Sequence, residues 1–83
     1  MNSLGVEVND IDGEFLIYPI PAEKKVFLSR KVEKITVFSI SGRKILEIND
    51  ANVIDISNFQ AGVYQVLLTT ERGRLMKQIV KIN

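Results

Sequence analysis

The sequence predicts an all-β domain, specifically an Ig-like antiparallel β-sandwich of about seven strands. Short apolar runs recur at spacings of roughly 8–12 residues, with turn-forming residues between them. No segment of roughly 10–15 residues keeps the 3.6-residue period of a helix. The chain has 83 residues, a length that indicates one domain. We divide it into a linker or leader over residues 1–12 and a folded β-sandwich domain over residues 13–83.

The boundaries of the strands follow from apolar and β-branched runs that end at turn formers. Pro19 and Pro21 stop the first run, and because proline lacks an amide donor they indicate an extended segment at a sheet edge. Gly42 suits the positive φ of a tight turn between the third and fourth strands. Polar runs at residues 29–31 and 49–52 end the second and fourth strands. The predicted strands span residues 14–18, 26–28, 32–40, 44–48, 53–56, 63–70 and 75–82.

The last two strands form the strongest local signal, a β-hairpin that closes over Gly73. Before it, Ser57 is predicted to cap a turn by holding a backbone amide with its hydroxyl. Phe59 is then free to close the end of the core. Tyr64 is expected to pack its ring in the core and to use its hydroxyl at the rim.

Composition argues against several functional classes. Eleven basic and ten acidic residues are scattered and give a net charge of +1, unlike the basic face of a nucleic-acid-binding protein. The chain has no Cys and no His, so the commonest nucleophile–base pairs and metal ligands are missing. We therefore predict neither catalysis nor a cofactor. Residues 9–14 resemble a calcium loop, but Val8 and Pro19 occupy ligand positions, so a solvated turn is favoured.

No apolar run in the sequence approaches the roughly 20 residues that a membrane-spanning helix needs. No charged and apolar leader follows Met1 either. A secreted role would therefore require the chain to be part of a longer precursor.

Four motifs follow one another along the chain. They are Tyr-Pro-Ile-Pro at residues 18–21, a strand and Gly-Arg turn at residues 37–45, Ile-Asp-Ile-Ser through Ala-Gly-Val-Tyr at residues 54–64, and Lys-Gln-Ile-Val-Lys at residues 77–81. In order and spacing they resemble the C-terminal sorting domain of the type IX secretion system of Bacteroidetes, over about residues 15–83. The chain departs from that pattern with Ile20 for Asn, Phe38 for Tyr, Ser39 for Asp and Gln60 for Pro.

The resemblance implies a non-catalytic signal that directs a larger cargo protein through the outer-membrane translocon. It implies transit through the periplasm, then a location at the cell surface or outside the cell. It also implies cleavage within residues 1–12 by a sortase-like peptidase, with transfer of the cargo, which precedes this chain, to lipopolysaccharide. The residues that it marks for recognition are Pro19, Pro21, Gly42, Arg43, Gly62, Tyr64, Lys77, Val80 and Lys81.

Most of these residues also have a structural interpretation. Arg43 is either exposed beside its turn or a partner for a carboxylate or phosphate. Lys77 and Lys81 fall on one face of the last strand, where they either discourage edge pairing or carry the signal. Exchange of the terminal strands between two chains would give a strand-swapped dimer. The alternative function is a stalk or adhesion-type module of a surface protein, which acts as a spacer or binds a partner such as a glycan; exposed aromatic residues would support it. A glycan-active enzyme is disfavoured by the missing acid–base residues.

Overall fold

The computed structural model describes residues 16–83, which form one curled, antiparallel β-sheet. This confirms the all-β, antiparallel prediction, whereas the seven-strand Ig-like sandwich is not confirmed. Residues 16–83 contain no helix that could cross a membrane. Residues 1–12, the turn at residues 9–14 and the start of the first predicted strand lie outside the described residues. The strands are β1 Ile17–Tyr18, β2 Lys25–Ser39, β3 Lys44–Asp55, β4 Gly62–Thr70 and β5 Gly73–Lys81.

Five strands replace seven because two polar runs, at residues 29–31 and 49–52, do not end strands but lie within β2 and β3. Phe27 pairs with Val53 and Val32 pairs with Ala51, so five steps along β2 correspond to two steps along β3. Asp50 has a φ of 51° at this irregularity. The polar residues therefore mark a bend in one long ribbon, where bulged strands turn sharply without losing their partner.

The bend brings the two ends of β2 close together. The second half of β2 pairs with β3 on one side and β4 on the other, and β5 pairs with β4. Ser39, at the end of β2, pairs with Tyr64. Ala22, just before β2, forms a parallel bridge with Lys81 at the end of β5. Its amide donates to Val80 O at 2.9 Å, and its carbonyl accepts from Ile82 N at 2.8 Å.

The core lies between the two halves of this folded ribbon. β4 contributes Tyr64, Val66 and Leu68 from alternate positions, as predicted, and all three side chains are buried. Such alternation buries one face of the strand. β5 contributes Ile79, which is fully buried. The other buried apolar residues are Ala22, Val26, Leu28, Val32, Ile35, Val37, Ile54 and Ile56.

The predicted C-terminal hairpin is present, but its loop is shorter than the three to four residues predicted: only Glu71 and Arg72 separate the strands, and Gly73 begins β5. β4 and β5 pair over their whole length, from Gly62 opposite Lys81 to Thr70 opposite Gly73. Gly73 has a φ of 137°, a backbone conformation that residues other than glycine rarely adopt. The hairpin therefore closes where the sequence placed its glycine.

Candidate functional site

The four sequence motifs meet at one end of the curled sheet. Ser39 pairs with Tyr64, and Gly62, at the start of the same strand, pairs with Lys81. Lys81 in turn bridges Ala22, the residue that follows the proline motif. Each motif thus contains or adjoins one of these paired residues. We call this region the motif end.

The nine residues marked by the sequence differ widely in accessibility. Tyr64 and Lys81 are buried, and Lys77 and Val80 are half-buried. A partner that docks without unfolding the domain can therefore contact Lys77 and Val80 only in part, and the remaining residues directly. The exposed members are Pro19, Pro21, Gly42, Arg43 and Gly62.

The turn between β2 and β3 is organised by Ser39. Its amide donates to Arg43 O at 2.8 Å, its carbonyl accepts from Gly42 N at 2.9 Å, and its hydroxyl oxygen accepts from Arg43 N at 3.1 Å. The hydroxyls of Ser39 and Ser41 are 2.9 Å apart. Gly42 has the predicted positive φ, here 94°. The backbone of Arg43 is therefore fixed from two sides, while its side chain is exposed.

Tyr64 joins the core to the rim, as the sequence predicts. Only 9% of the residue is exposed, and its hydroxyl donates to Gln60 O at 2.6 Å. Its ring centroid lies 4.9 Å from that of Phe59, within the range of favourable aromatic pairs. Phe59 packs against the core, also as predicted. The pair closes the motif end from inside.

The turn that precedes β4 is capped by Asp55. The prediction that the Ser57 hydroxyl would accept from a backbone amide was wrong, because this hydroxyl donates to Asp55. One oxygen of Asp55, Oδ1, accepts from Ser57 N at 3.0 Å and from Ser57 Oγ at 2.7 Å. The hydrogen bond from the Ser57 side chain, followed by that from its backbone, lowers the pKa of Asp55. A carboxylate accepts two bonds here, so the serine hydroxyl serves as donor.

Lys81 is the least expected member of the site. Its side chain faces the core, and only 4% of the residue is exposed. Its ammonium donates to Ile82 O at 3.3 Å. Lys77 lies on the same face of β5, opposite Val66, whereas Val80 lies on the other face, opposite Val63. The shared face of the two lysines is therefore the face that lines the core.

The proline motif lies along the rim of the sheet. Pro19 and Pro21 both follow cis peptide bonds and are exposed. Tyr18 pairs with Phe27 in β2, and their ring centroids are 6.0 Å apart on the outer surface. The sequence predicted that residues 18–21 are extended at a sheet edge and then turn. This is only partly right, because the strand ends at Tyr18 and the chain already bends at Ile20 and Pro21.

The site offers surfaces for binding. Residues 16–83 contain no cluster of His, Cys, Asp and Glu that could hold a metal ion. Exposed charged groups within the motifs include Arg43, Lys44, which pairs with Glu47, and the Asp55 carboxylate, which is bonded to Ser57. An exposed guanidinium on a fixed turn can form a bidentate pair with a carboxylate or a phosphate.

Comparison with known proteins decides between the functional classes. The sequence profile of the secretion system C-terminal sorting domain matches residues 16–83. The chain belongs to this family. Searches of curated proteins and of solved structures found no match. As a sorting domain of type IX secretion, the chain carries a signal for export to the cell surface or the extracellular space, and such domains are generally not catalysts.

Two residues outside the nine marked for recognition also hold the motif end together. Ala22 is 2% exposed and connects the proline motif to β5. Asp55 holds the turn before β4. The role of Ala22 depends on its parallel bridge to Lys81, which is distant in the sequence. A local sequence pattern therefore could not predict this role. Asp55 was accessible to prediction, because Asp two residues before a serine in a turn commonly accepts from the backbone.

Proposed function

We propose that the motif end is the surface by which the outer-membrane type IX translocon recognises this folded domain. The observation that carries the proposal is the convergence of four sequence motifs at one end of the sheet. Motifs that served only local turns would have no need to share an end. Tyr64 and Lys81 act through the fold, because they are buried. Arg43, exposed and held by Ser39, acts by contact with an acidic group of the translocon.

The wider route is proposed from the family. A cargo that precedes this chain crosses the inner membrane by its own N-terminal signal, and the folded sorting domain is recognised in the periplasm. After passage, a sortase-like peptidase cuts within residues 1–12 and transfers the cargo to lipopolysaccharide. Residues 1–12 suit this role because they precede the first strand of the domain, Ile17–Tyr18. In this scheme the domain contributes binding, and the peptidase contributes the chemistry.

The test is export of a periplasmic reporter fused to residues 1–83, in a host with type IX secretion. We expect the reporter at the surface or in the medium. Arg43→Ala should retain it in the periplasm, whereas Arg74→Ala should not. Arg74 is a matched control because it is also an exposed arginine, but it pairs with Thr69, near the opposite end of the hairpin.

Stability must be measured beside export. Deleting residues 77–83 should abolish export, but it also removes most of β5, so a point substitution is the sharper probe. Urea unfolding of the Arg43→Ala variant should match that of the unaltered domain, since its side chain is exposed. Retention of the unaltered fusion would refute the sorting role. Equal export of both arginine variants would contradict the proposal that the translocon recognises the motif end.

A further inference from the structure

The loop between β2 and β3 presents an isoleucine to solvent. Ile40 follows Ser39, the last residue of β2, and 74% of it is exposed, the largest exposed fraction of any large apolar residue in residues 16–83. Loops of this kind are usually built from Gly, Pro, Asn, Asp and Ser, and β-branched residues favour strands. The core gains little from a side chain that stays in water. Neither the turn nor the core therefore explains why this position holds an isoleucine.

The loop between β4 and β5 shows that this fold can close a hairpin without an apolar loop residue. Only Glu71 and Arg72 separate those strands, and both are exposed. The two loops share one device, a hydroxyl at the end of the incoming strand that accepts from a backbone amide. Thr70 Oγ1 accepts from Arg72 N, and Ser39 Oγ accepts from Arg43 N. The loops share this support and differ in the side chains that they present.

Ile40 and Arg43 are presented together on one fixed loop. Ser39 bonds to the backbone of Gly42 and of Arg43, at 2.8, 2.9 and 3.1 Å, so the loop is held at both of its ends. A loop that is already ordered loses little conformational entropy when a partner binds it. A single exposed apolar residue is ordinary on a protein surface, but this one shares a short loop with an exposed arginine. A partner that contacts the guanidinium of Arg43 will therefore also lie close to Ile40.

Two further isoleucines are exposed at the motif end, and both lie close to Ala22 in the structure. Ile20 is 43% exposed and lies two residues before Ala22. Ile82 is 40% exposed, and its amide donates to Ala22 O at 2.8 Å. With Ile40, they make three exposed isoleucines that the motifs contain or adjoin. Protein–protein interfaces usually combine an apolar centre with a polar or charged rim, and the motif end offers both parts.

We propose that Ile40 and Arg43 form one recognition element, which docks against an apolar pocket of the translocon that has a carboxylate at its border. Ile40 fills the pocket and loses its contact with water. Arg43 forms a bidentate pair with the carboxylate, a geometry that suits its planar guanidinium. This role of Ile40 rests on the proposed function, because the translocon must supply the pocket. A second copy of this chain is the competing occupant of the loop.

Export of the reporter fusion tests the apolar half of the element. Ile40→Ser removes the whole apolar side chain and should lower the rate of export at least about tenfold. Ile40→Val removes one methylene and should lower it about fourfold. Met76→Ser is the matched control, because Met76 is also apolar and 51% exposed but lies on β5 opposite Leu67, five residues before Lys81. The control should be exported at the rate of the unaltered fusion.

Urea unfolding of the chain separates recognition from folding. Serine suits a loop better than isoleucine, so Ile40→Ser should unfold at an unchanged or higher urea concentration. A clearly lower midpoint would overturn the proposal, because the side chain would then serve the fold. Light scattering addresses the second copy, and the chain should have the mass of a monomer. A dimer that Ile40→Ser dissociates would assign the loop to self-association and would also overturn the proposal.

The outcomes distinguish the role of Ile40 from the sorting role itself. Retention of the unaltered fusion in the periplasm would refute both. If the unaltered fusion is exported and Arg43→Ala is retained, normal export of Ile40→Ser would overturn the role of Ile40 and leave the sorting role standing. An equal loss in Ile40→Ser and Met76→Ser would overturn it too, since any exposed apolar side chain would then serve. The expected result is a loss in Ile40→Ser and Arg43→Ala that the control does not share.

Discussion

The two ends of the C-terminal hairpin are built in different ways. At the turn end, Thr70 accepts from Arg72 N at 3.0 Å and donates to Gly73 O at 3.2 Å, so both of these bonds are local. At the motif end, the same two strands meet Ala22 and Ser39, which lie far away in the sequence. A local turn requires only suitable residues within a few positions. A meeting of distant segments requires residues whose spacing is coordinated along the whole chain.

The largest expected difference between the two ends concerns the core. Ile79→Ala should lower the free energy of unfolding by about 2–5 kcal/mol, because a fully buried side chain leaves a cavity. Leu75→Ala, four residues nearer the turn end, should cost clearly less, because Leu75 is only half-buried. Urea unfolding of both variants measures the difference. Equal losses would mean that the two ends are equally well packed, and the contrast between them would fail.

Two substitutions at Lys81 separate the contribution of its aliphatic side-chain stem to stability from that of its charged ammonium. Lys81→Met keeps a long apolar stem and removes the buried ammonium, so stability should stay within about 1 kcal/mol or rise. Lys81→Ala also removes the stem and should destabilise by about 2 kcal/mol or more, since the residue is 4% exposed. Chemical denaturation provides the measurement. A large loss in the Met variant would show that the ammonium itself stabilises the fold.

The hydroxyl of Tyr64 gives a smaller and more local probe. Tyr64→Phe removes the bond of 2.6 Å to Gln60 O and should cost about 0.5–1.5 kcal/mol. Thr70→Val removes the hydroxyl that bonds within the turn end, where water can replace its partners more easily. Thermal and urea unfolding should show the greater loss for Tyr64→Phe. The reverse order would place the more important hydroxyl contact at the turn.

Sequence reasoning worked where local chemistry decides the outcome. Gly42 and Gly73 marked turns, and alternation along β4 placed Tyr64 and Leu68 in the core. It failed at residues 29–31 and 49–52, where polar residues indicated strand ends. A bend in a continuous ribbon exposes its residues as a loop does, so polarity cannot distinguish the two. Only the cross-strand register, a long-range property, shows that β2 and β3 continue.

The sequence motifs name the members of the candidate site, but only the structure gives their orientation. Even spacing placed Lys77 and Lys81 on one face, yet it could not say that this face lines the core. A terminal lysine is usually exposed, because burial of a charged group is costly. At the motif end Ala22 and its bridge cover the strand instead. The motif order identified the family, while the fold decides which members a partner can contact.

The smallest expected effect concerns the acid sensitivity of the motif end. Hydrogen bonds from the side chain and backbone of Ser57 lower the pKa of Asp55 in the folded state. A lowered pKa contributes stability that is fully present above about pH 4 and is lost as the pH falls through the folded value. Asp55→Ala should therefore be less stable than the unaltered domain at pH 6, and the difference should shrink at about pH 2.5.

Glu47 provides the matched control for Asp55 away from the motif end. Hydrogen bonds and charge from Lys44 and then Lys34 lower its pKa, at distances of 2.7 and 3.3 Å. Salt screens exposed ion pairs, whereas the hydrogen-bond partner of Asp55 is an uncharged serine, and the charge of Lys25 lowers the Asp55 pKa less than that serine does. In urea unfolding from pH 6 to about pH 2.5, the effect of Glu47→Ala should fade in about 0.5 M NaCl, while that of Asp55→Ala persists. If salt abolished the effect of Asp55→Ala as well, charge at the surface rather than the Ser57 cap would stabilise this turn.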